Sequence, residues 1–165
     1  MSQKITPALK GLITGLLMLA VALFLYYTKQ PFDSGLQYLV YIIYAAGIVW
    51  TLISYRKSVA TNPKFGELFG QGFRCFIVVT LVMVAFTGFF SAAHPEFAKE
   101  AAQHYKEELL KEKKGNRNPV EINEMVAKAE KQYTVQLISA SIFGYLIIGA
   151  IVTAGCSALL IARKQ

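Results

Sequence analysis

Four stretches of the chain contain no charged side chain, and each is long enough to cross a lipid bilayer as a helix. They run from Gly11 to Thr28, Ser34 to Tyr55, Cys75 to Pro95 and Gln132 to Ala162. A helix rises about 1.5 Å per residue, so roughly 20 residues cross a hydrocarbon core about 30 Å thick. The sequence therefore predicts an all-α fold, an integral membrane four-helix bundle, with spans at about 8–28, 35–55, 74–94 and 135–161.

The composition agrees with a single membrane domain over residues 1–165. Hydrophobic residues make up 55% of the chain and the mean hydropathy is +0.42, so four spans and their connections account for most of its length. In a soluble protein the formal charge of +7 would suggest a nucleic-acid partner. Here the basic residues follow the ends of the spans, so we expect a lipid bilayer as partner and no nucleic acid.

The orientation is predicted from the first hairpin of spans. The long third loop carries about as many basic residues as the opposite side, whereas the loop after the first span contains only Lys29. Short loops dominate the positive-inside rule, so we expect both termini of this multi-pass protein to be cytoplasmic. The basic residues of the inner side are then Lys4, Lys10, Arg56, Lys57, Lys64, Arg74, Arg163 and Lys164.

A cleaved signal peptide is the alternative interpretation of the first span. Lys4 and Lys10 precede an apolar run that contains Ala20-Val21-Ala22, a small-x-small pattern typical of a cleavage site. The apolar run continues past this pattern to Tyr26, which favours a span.

The segment between the second and third spans repeats phenylalanine every four residues. On a helix, Phe65, Phe69 and Phe73 would share one face beside a notch formed by Gly66 and Gly70. One interpretation is a helix-packing elbow, and the other is an amphipathic helix on the membrane surface that turns into the third span. The candidate contacts to lipid headgroups or to a partner are Arg56, Lys57, Lys64, Phe69, Gly70, Gln71 and Arg74.

Residues 95–133 are the charged region long enough to project from the membrane, and their pattern predicts an extramembrane helical hairpin. Gly115 is expected to end its first helix, and Asn118, Pro119 and Glu121 provide an N-cap, a first-turn proline and an N3 carboxylate for the second. The predicted apolar faces consist of Ala98, Ala101, Ala102, Tyr105 and Leu109, and of Ile122, Met125, Val126, Ala129 and Tyr133.

Charge pairs and length add two expectations about the hairpin. Glu107/Lys111 and Glu124/Lys128 stand four residues apart, a spacing that predicts weak ion pairs. The uncharged stretch that ends at Ala162 is longer than a span requires, so the second hairpin helix is expected to continue unbroken into the membrane. The hairpin is either a binding element for a protein or a solvated connection.

Residue patterns typical of catalysis or metal binding are weak. His104 shares a helix face with Glu100 and Glu108, but without a third histidine or cysteine this pattern favours surface residues. Cys75 and Cys156 both lie near inner span ends and are interpreted as small apolar residues. We expect no catalytic residue, no metal site, no cofactor and no enzymatic activity. Small residues predict helix contacts at Gly11/Gly15 and Ala140/Gly144.

Over its whole length the chain resembles a family of small four-span bacterial membrane proteins, domain-of-unknown-function family 4199. The resemblance rests on Tyr55-Arg56-Lys57 after the second span, on Phe69-Gly70-Gln71-Gly72-Phe73-Arg74 before the third, and on a Glu/Lys-rich helical segment before a long last span. Gly72 stands where alanine or another small residue is expected. The resemblance implies a bacterial cytoplasmic (inner) membrane location, and it implies no activity, cofactor or catalytic residue.

Two functions fit these features. The first is a non-enzymatic membrane subunit or scaffold for a partner protein, with a membrane protein or a second copy of the chain as partner. The alternative is a small transporter or flippase helper for a lipid-linked polyprenyl-phosphate substrate. Its anionic headgroup would be held by basic residues at the inner surface, namely Arg56, Lys57, Lys64 and Arg74.

Overall fold

The structure is a computed structural model that describes residues 5–28, 37–59, 62–111 and 118–162. Within these ranges every regular element is a helix. The helices are α1 (Pro7–Tyr27), α2 (Gln37–Ser58), α3 (Phe65–Ala93), α4 (Glu96–Lys111) and α5 (Pro119–Ala162). The predictions made at Lys4, Lys29, Gly115, Arg163 and Lys164 lie outside the described residues.

Four of the five helices are long and apolar enough to cross a membrane. They are α1, Tyr38–Ser58 of α2, α3 and α5, and their mean hydropathies range from 1.6 to 2.3. The prediction of an all-α membrane protein with four spans is confirmed. The assignment of one membrane domain with a hairpin at 95–133 stays a prediction.

The helix starts follow the capping rules. The Oγ1 of Thr6 accepts a hydrogen bond from the backbone N–H of Leu9 at 3.3 Å, and Pro7 occupies the first turn of α1. At α5 the Oδ1 of Asn118 accepts from the N–H of Val120 at 3.3 Å, and Pro119 follows. The predicted N-cap and first-turn proline of α5 are therefore confirmed. α5 continues without a break for 44 residues, as the length of its uncharged stretch predicted.

One compact unit comprises Met1–Val84 and Ile142–Gln165. Its fully buried core includes Met18 of α1, Tyr44 and Ile48 of α2, and Val79 of α3. The hydroxyl of Tyr44 donates to the backbone carbonyl of Tyr145 on α5 at 2.8 Å, so this core residue also joins two helices through a hydrogen bond. The described parts of all four long helices contribute residues to this unit.

Glycines allow the helices of this unit to approach closely. A Cβ built on Gly11 would lie 2.5 Å from the backbone carbonyl oxygen of Cys75, and one built on Gly15 would lie 3.0 Å from Val82. Such distances are shorter than van der Waals contact, so the crossing of α1 and α3 requires glycine. The predicted contact at Gly11 and Gly15 is confirmed. The prediction at Gly144 is wrong, because a Cβ there would meet nothing within 4 Å.

The second compact unit is Ala85–Ser141. Ala102 and Leu109 of α4 and Ile122 of α5 are buried in it, in agreement with the predicted apolar faces. The hydroxyls of Ser91 on α3 and Thr134 on α5 are hydrogen-bonded at 2.9 Å. Of the two predicted ion pairs, Glu107 and Lys111 are 4.0 Å apart.

The second predicted ion pair is absent. No ion pair joins Glu124 and Lys128 among the described residues, although both stand on the same face of α5. Both side chains are exposed, and solvated charges on a helix gain little from pairing.

Candidate functional site

The phenylalanine-rich segment forms the first turns of α3. α3 starts at Phe65 and runs unbroken to Ala93, so this segment does not turn before it enters the third span. The carboxylate of Glu67 accepts a hydrogen bond from the backbone N–H of Lys64 at 3.1 Å, and the carbonyl of Lys64 accepts from Leu68 at 3.2 Å. This is half of a capping box, and it explains why the helix begins here.

The three phenylalanines form the expected stripe. The ring centroids of Phe65 and Phe69 are 5.9 Å apart and those of Phe69 and Phe73 are 6.4 Å apart, both stacked. Phe65 and Phe73 are 45% and 46% exposed, whereas Leu68 on the same helix is fully buried. The stripe therefore lies on the outer surface of its unit, and Leu68 belongs to the core.

The glycines beside this stripe differ from those of the core. A Cβ built on Gly66 or Gly70 would meet nothing within 4 Å. By contrast, a Cβ on Gly72, two residues further along α3, would overlap the side chain of Thr153 on α5. Gly66 and Gly70 thus form an open notch at a four-residue spacing, and Gly72 is used by the packing of the protein itself.

The candidate basic residues lie near this notch in sequence but are not joined to one another. Arg56 and Lys57 occupy the last turn of α2, where positive charge is favourable at the carbonyl end of a helix. Lys57, Lys64 and Arg74 are exposed, and Arg56 is half-buried. Among the described residues these four side chains form no ion pair.

A buried lysine stands near the start of α1. Lys10 lies inside α1, in agreement with the predicted first span at about 8–28, and it is only 7% exposed, which the sequence analysis did not predict. Its ammonium lies 5.2 Å from the centroid of the Trp50 ring on α2, at cation–π distance. Trp50 therefore lies against a buried charge. The sequence next to Lys10 does not indicate that this residue is buried, because its burial results from packing against another helix.

Polar groups continue this buried region between α2 and α3. The hydroxyl of Thr51 donates to the carbonyl of Gly47 at 3.0 Å and lies 3.3 Å from the Sγ of Cys75. Cys75 and Cys156 are both free thiols, in agreement with their interpretation as small apolar residues. The bond to Gly47 satisfies the Thr51 hydroxyl within α2, and the contact with Cys75 joins α2 to α3.

A cavity of about 450 Å³ lies in the second unit between α4 and α5. Its lining consists of Ala101, Ala102, Tyr105, Met125, Lys128, Ala129, Gln132, Tyr133 and Gln136. The sequence analysis placed several of these residues on apolar faces but did not identify a cavity. The sequence does contain one signal for this cavity, a row of polar residues on α5. Lys128, Gln132 and Gln136 stand four residues apart on the side of the helix where alanines face α4.

A histidine–carboxylate pair stands where α4 begins. The Nδ1 of His94 lies 2.6 Å from a carboxylate oxygen of Glu96, and the His94 ring packs against Phe90 with centroids 4.6 Å apart. The pKa of Glu96 is lowered from its ordinary value, first because its own backbone N–H donates to the carboxylate and second because His94 bonds to it. The described residues contain no cluster of three groups able to hold a metal ion.

Comparison with known proteins identifies one family. A family model described as "Protein of unknown function (DUF4199)" matches residues 10–161, which is nearly the whole chain. No curated protein and no solved structure matches.

Proposed function

We propose that this chain, which belongs to the DUF4199 family, is a non-enzymatic membrane subunit that docks a helix of a partner protein on the first turns of α3. The docking surface is the open notch of Gly66 and Gly70 together with the stripe of Phe65, Phe69 and Phe73. We further propose that the protein lies in the bacterial cytoplasmic membrane with both termini inside. The basic residues around α2 and α3 then lie on the cytoplasmic side.

The open notch is the observation that carries this proposal. Glycine in a helix interior costs up to about 1 kcal/mol relative to alanine, so a helical glycine needs a compensating contact. Gly11 and Gly72 allow close approach to a neighbouring helix, whereas no described residue lies close enough to Gly66 or Gly70 to give such a contact. Small residues four apart are a recurrent surface for close helix contact in membranes. A partner helix on this notch would supply the missing contact.

The bundle interior supports docking rather than transport. Tyr44 fills the centre of the first unit, where its hydroxyl is hydrogen-bonded and a Cβ on Gly149 would overlap it. Thr51, Thr80 and Thr14 each donate to a carbonyl of their own helix. The Tyr44 ring and these three bonded threonines thus occupy the centre of the unit.

The test is co-purification of the tagged, full-length protein in a mild detergent, with quantitative mass spectrometry of proteins and lipids. We expect a stoichiometric protein partner with wild type and a loss of at least tenfold in the Gly70→Leu variant. Gly144→Leu is the matched control, because Gly144 is also open but lies on α5 away from the stripe. Both variants have room for the new side chain, so both should fold.

Two results would overturn the docking proposal. One is a partner that is retained by Gly70→Leu at the wild-type level. The other is the absence of any stoichiometric protein together with an enriched polyprenyl-phosphate lipid. If this lipid is then lost in a combined Arg56→Gln, Lys57→Gln and Arg74→Gln variant, the transporter alternative replaces the docking proposal.

A further inference from the structure

We infer that the cavity between α4 and α5 binds a small sugar acid, that is, a ligand with one carboxylate and several hydroxyl groups. Its volume of about 450 Å³ falls within the range of small-molecule sites. All of its lining residues belong to the second compact unit, so the site is separate from the notch on α3.

The cavity exists because small side chains face the space between the two helices. Ala101 and Ala102 of α4 and Ala129 of α5 each contribute a single methyl group to the lining. Larger residues, Leu109 and Ile122, are buried elsewhere in the same unit and fill the space around them. The alanines therefore leave room that leucine at the same positions would occupy.

The charge of the lining selects an anion. Lys128 is the one charged residue among the described lining residues, and its ammonium forms no ion pair there. Its expected partner Glu124 does not bind it. Lys128 is a solvent-exposed residue of the lining, and its ammonium matches a ligand with a single carboxylate, with which it would form a charge-assisted hydrogen bond.

The neutral polar groups select hydroxyls. Gln132 and Gln136 follow Lys128 at four-residue intervals, so all three side chains lie along one face of α5. Each amide carries both a donor and an acceptor, and sugar hydroxyls also donate and accept. A row of one ammonium and two amides therefore matches a carboxylate followed by several hydroxyl groups.

Two tyrosines complete the site. Tyr105 of α4 and Tyr133 of α5 are both half-buried in the lining, and no hydrogen bond to another described residue occupies their hydroxyls. Their rings provide flat faces on which the C–H groups of a sugar ring can pack, and their hydroxyls add two further hydrogen-bonding groups.

The test is calorimetric titration of the full-length protein in lipid nanodiscs with glucuronate and, as its neutral counterpart, glucose. Nanodiscs are used because the sugar headgroups of common detergents would compete. We expect saturable binding of glucuronate and about threefold weaker binding of glucose. Replacement Lys128→Ala should reduce the affinity for glucuronate about threefold, since Lys128 is exposed and an exposed ionic contact contributes less than about 1 kcal/mol.

Matched variants separate the site from general effects. Lys131→Ala removes an exposed lysine of the same helix outside the lining and should leave the affinity unchanged. Ala129→Leu should abolish binding by filling the cavity, and Ala127→Leu, on an exposed position, is its control. If Ala129→Leu fails to fold, the comparison of Lys128→Ala with Lys131→Ala still tests whether the cavity binds glucuronate. Absence of glucuronate binding, equal affinity for glucose, or equal effects of the two lysine variants would overturn the inference.

Discussion

At the residue scale, the hydroxyl groups of the first unit divide into satisfied and unsatisfied ones. Thr51 donates to the carbonyl of Gly47 and also contacts the thiol of Cys75. Thr153 and Ser157, both fully buried on α5, have hydroxyl oxygens that form no hydrogen bond with any described residue. A buried polar group without a partner costs free energy, whereas a bonded one contributes about 1 kcal/mol. The same chemical change should therefore have opposite effects at the two threonines.

We predict that Thr153→Val raises the free energy of unfolding by about 1 kcal/mol. Valine keeps the shape of threonine against Gly72 and removes the unpaired hydroxyl. Thr51→Val should lower the free energy of unfolding by about 1 kcal/mol, because it leaves the thiol of Cys75 without this partner. Denaturant unfolding in detergent micelles, followed by the fluorescence of Trp50, measures both. A loss of stability in Thr153→Val equal to that in Thr51→Val would contradict this assignment.

Glycines provide a second residue-scale prediction. Gly11→Ala would place a Cβ 2.5 Å from the carbonyl oxygen of Cys75, a backbone atom that cannot rotate away. α1 must then move from α3, and we expect a loss of about 1–3 kcal/mol in unfolding free energy. Gly144→Ala meets no described atom within 4 Å and should raise the free energy of unfolding by up to about 1 kcal/mol, the difference in helix propensity. The same unfolding assay compares them, and equal effects would show that α1 does not cross α3 at Gly11.

At the scale of single elements, the start of α4 should depend on pH through Glu96. Because its pKa is lowered in the folded state, the ionised carboxylate stabilises the junction at neutral pH. This stabilisation is fully present above the ordinary glutamate pKa of 4.5 and is lost as the pH falls through the lowered value.

The variant Glu96→Gln should therefore speed amide hydrogen exchange in the first turn of α4 at pH 7. The difference from wild type should shrink as the pH falls below 4.5. Glu100→Gln is the control, since Glu100 is exposed on the same helix and forms no ion pair among the described residues. A difference between wild type and Glu96→Gln that persists unchanged in acid would mean that the carboxylate charge is not the cause.

The helices themselves could be predicted from the sequence to different degrees. Uncharged length and capping residues are local properties, so α1, α2 and the start of α5 agree with expectation. The third span was expected to start at about residue 74, after a separate helical segment that contains Phe65 and Phe73, yet one helix starts at Phe65, where Glu67 accepts the capping bond, and continues through the span. A helix forms where the backbone can make its hydrogen bonds and one face can pack, and a charged residue does not prevent this.

The contacts between helices could not be predicted, since they depend on side chains far apart in sequence. Gly11 and Gly144 each have a small residue four positions away on an apolar helix, but of the two only Gly11 closely approaches another described helix. Lys10 is buried through Trp50, 40 residues away along the chain. The cavity between α4 and α5 depends on the distance between two helices, whereas the residue pattern reports only which face of each helix is apolar.

At the scale of the whole molecule, the number of spans determines which segments share a side of the membrane. Four spans bring both termini to one side and place α4, between the third and fourth spans, on the other. The last turn of α2 carries Arg56 and Lys57, and positive charge near a span end favours the cytoplasmic side. These two arguments together predict that Lys57 is cytoplasmic and that α4 is external.

Thiol labelling in spheroplasts tests this topology. In a Cys75→Ala, Cys156→Ala background, Gln103→Cys and Lys57→Cys each introduce one exposed cysteine, on α4 and at the end of α2. We expect a membrane-impermeant maleimide to label Gln103→Cys in intact spheroplasts and Lys57→Cys only after permeabilisation. The reverse labelling pattern would mean that the protein has the opposite orientation in the membrane. The basic residues beside the α3 notch would then lie on the external side. Labelling of both sites in intact spheroplasts would instead mean that α3 does not cross the membrane, because only α3 separates them along the chain.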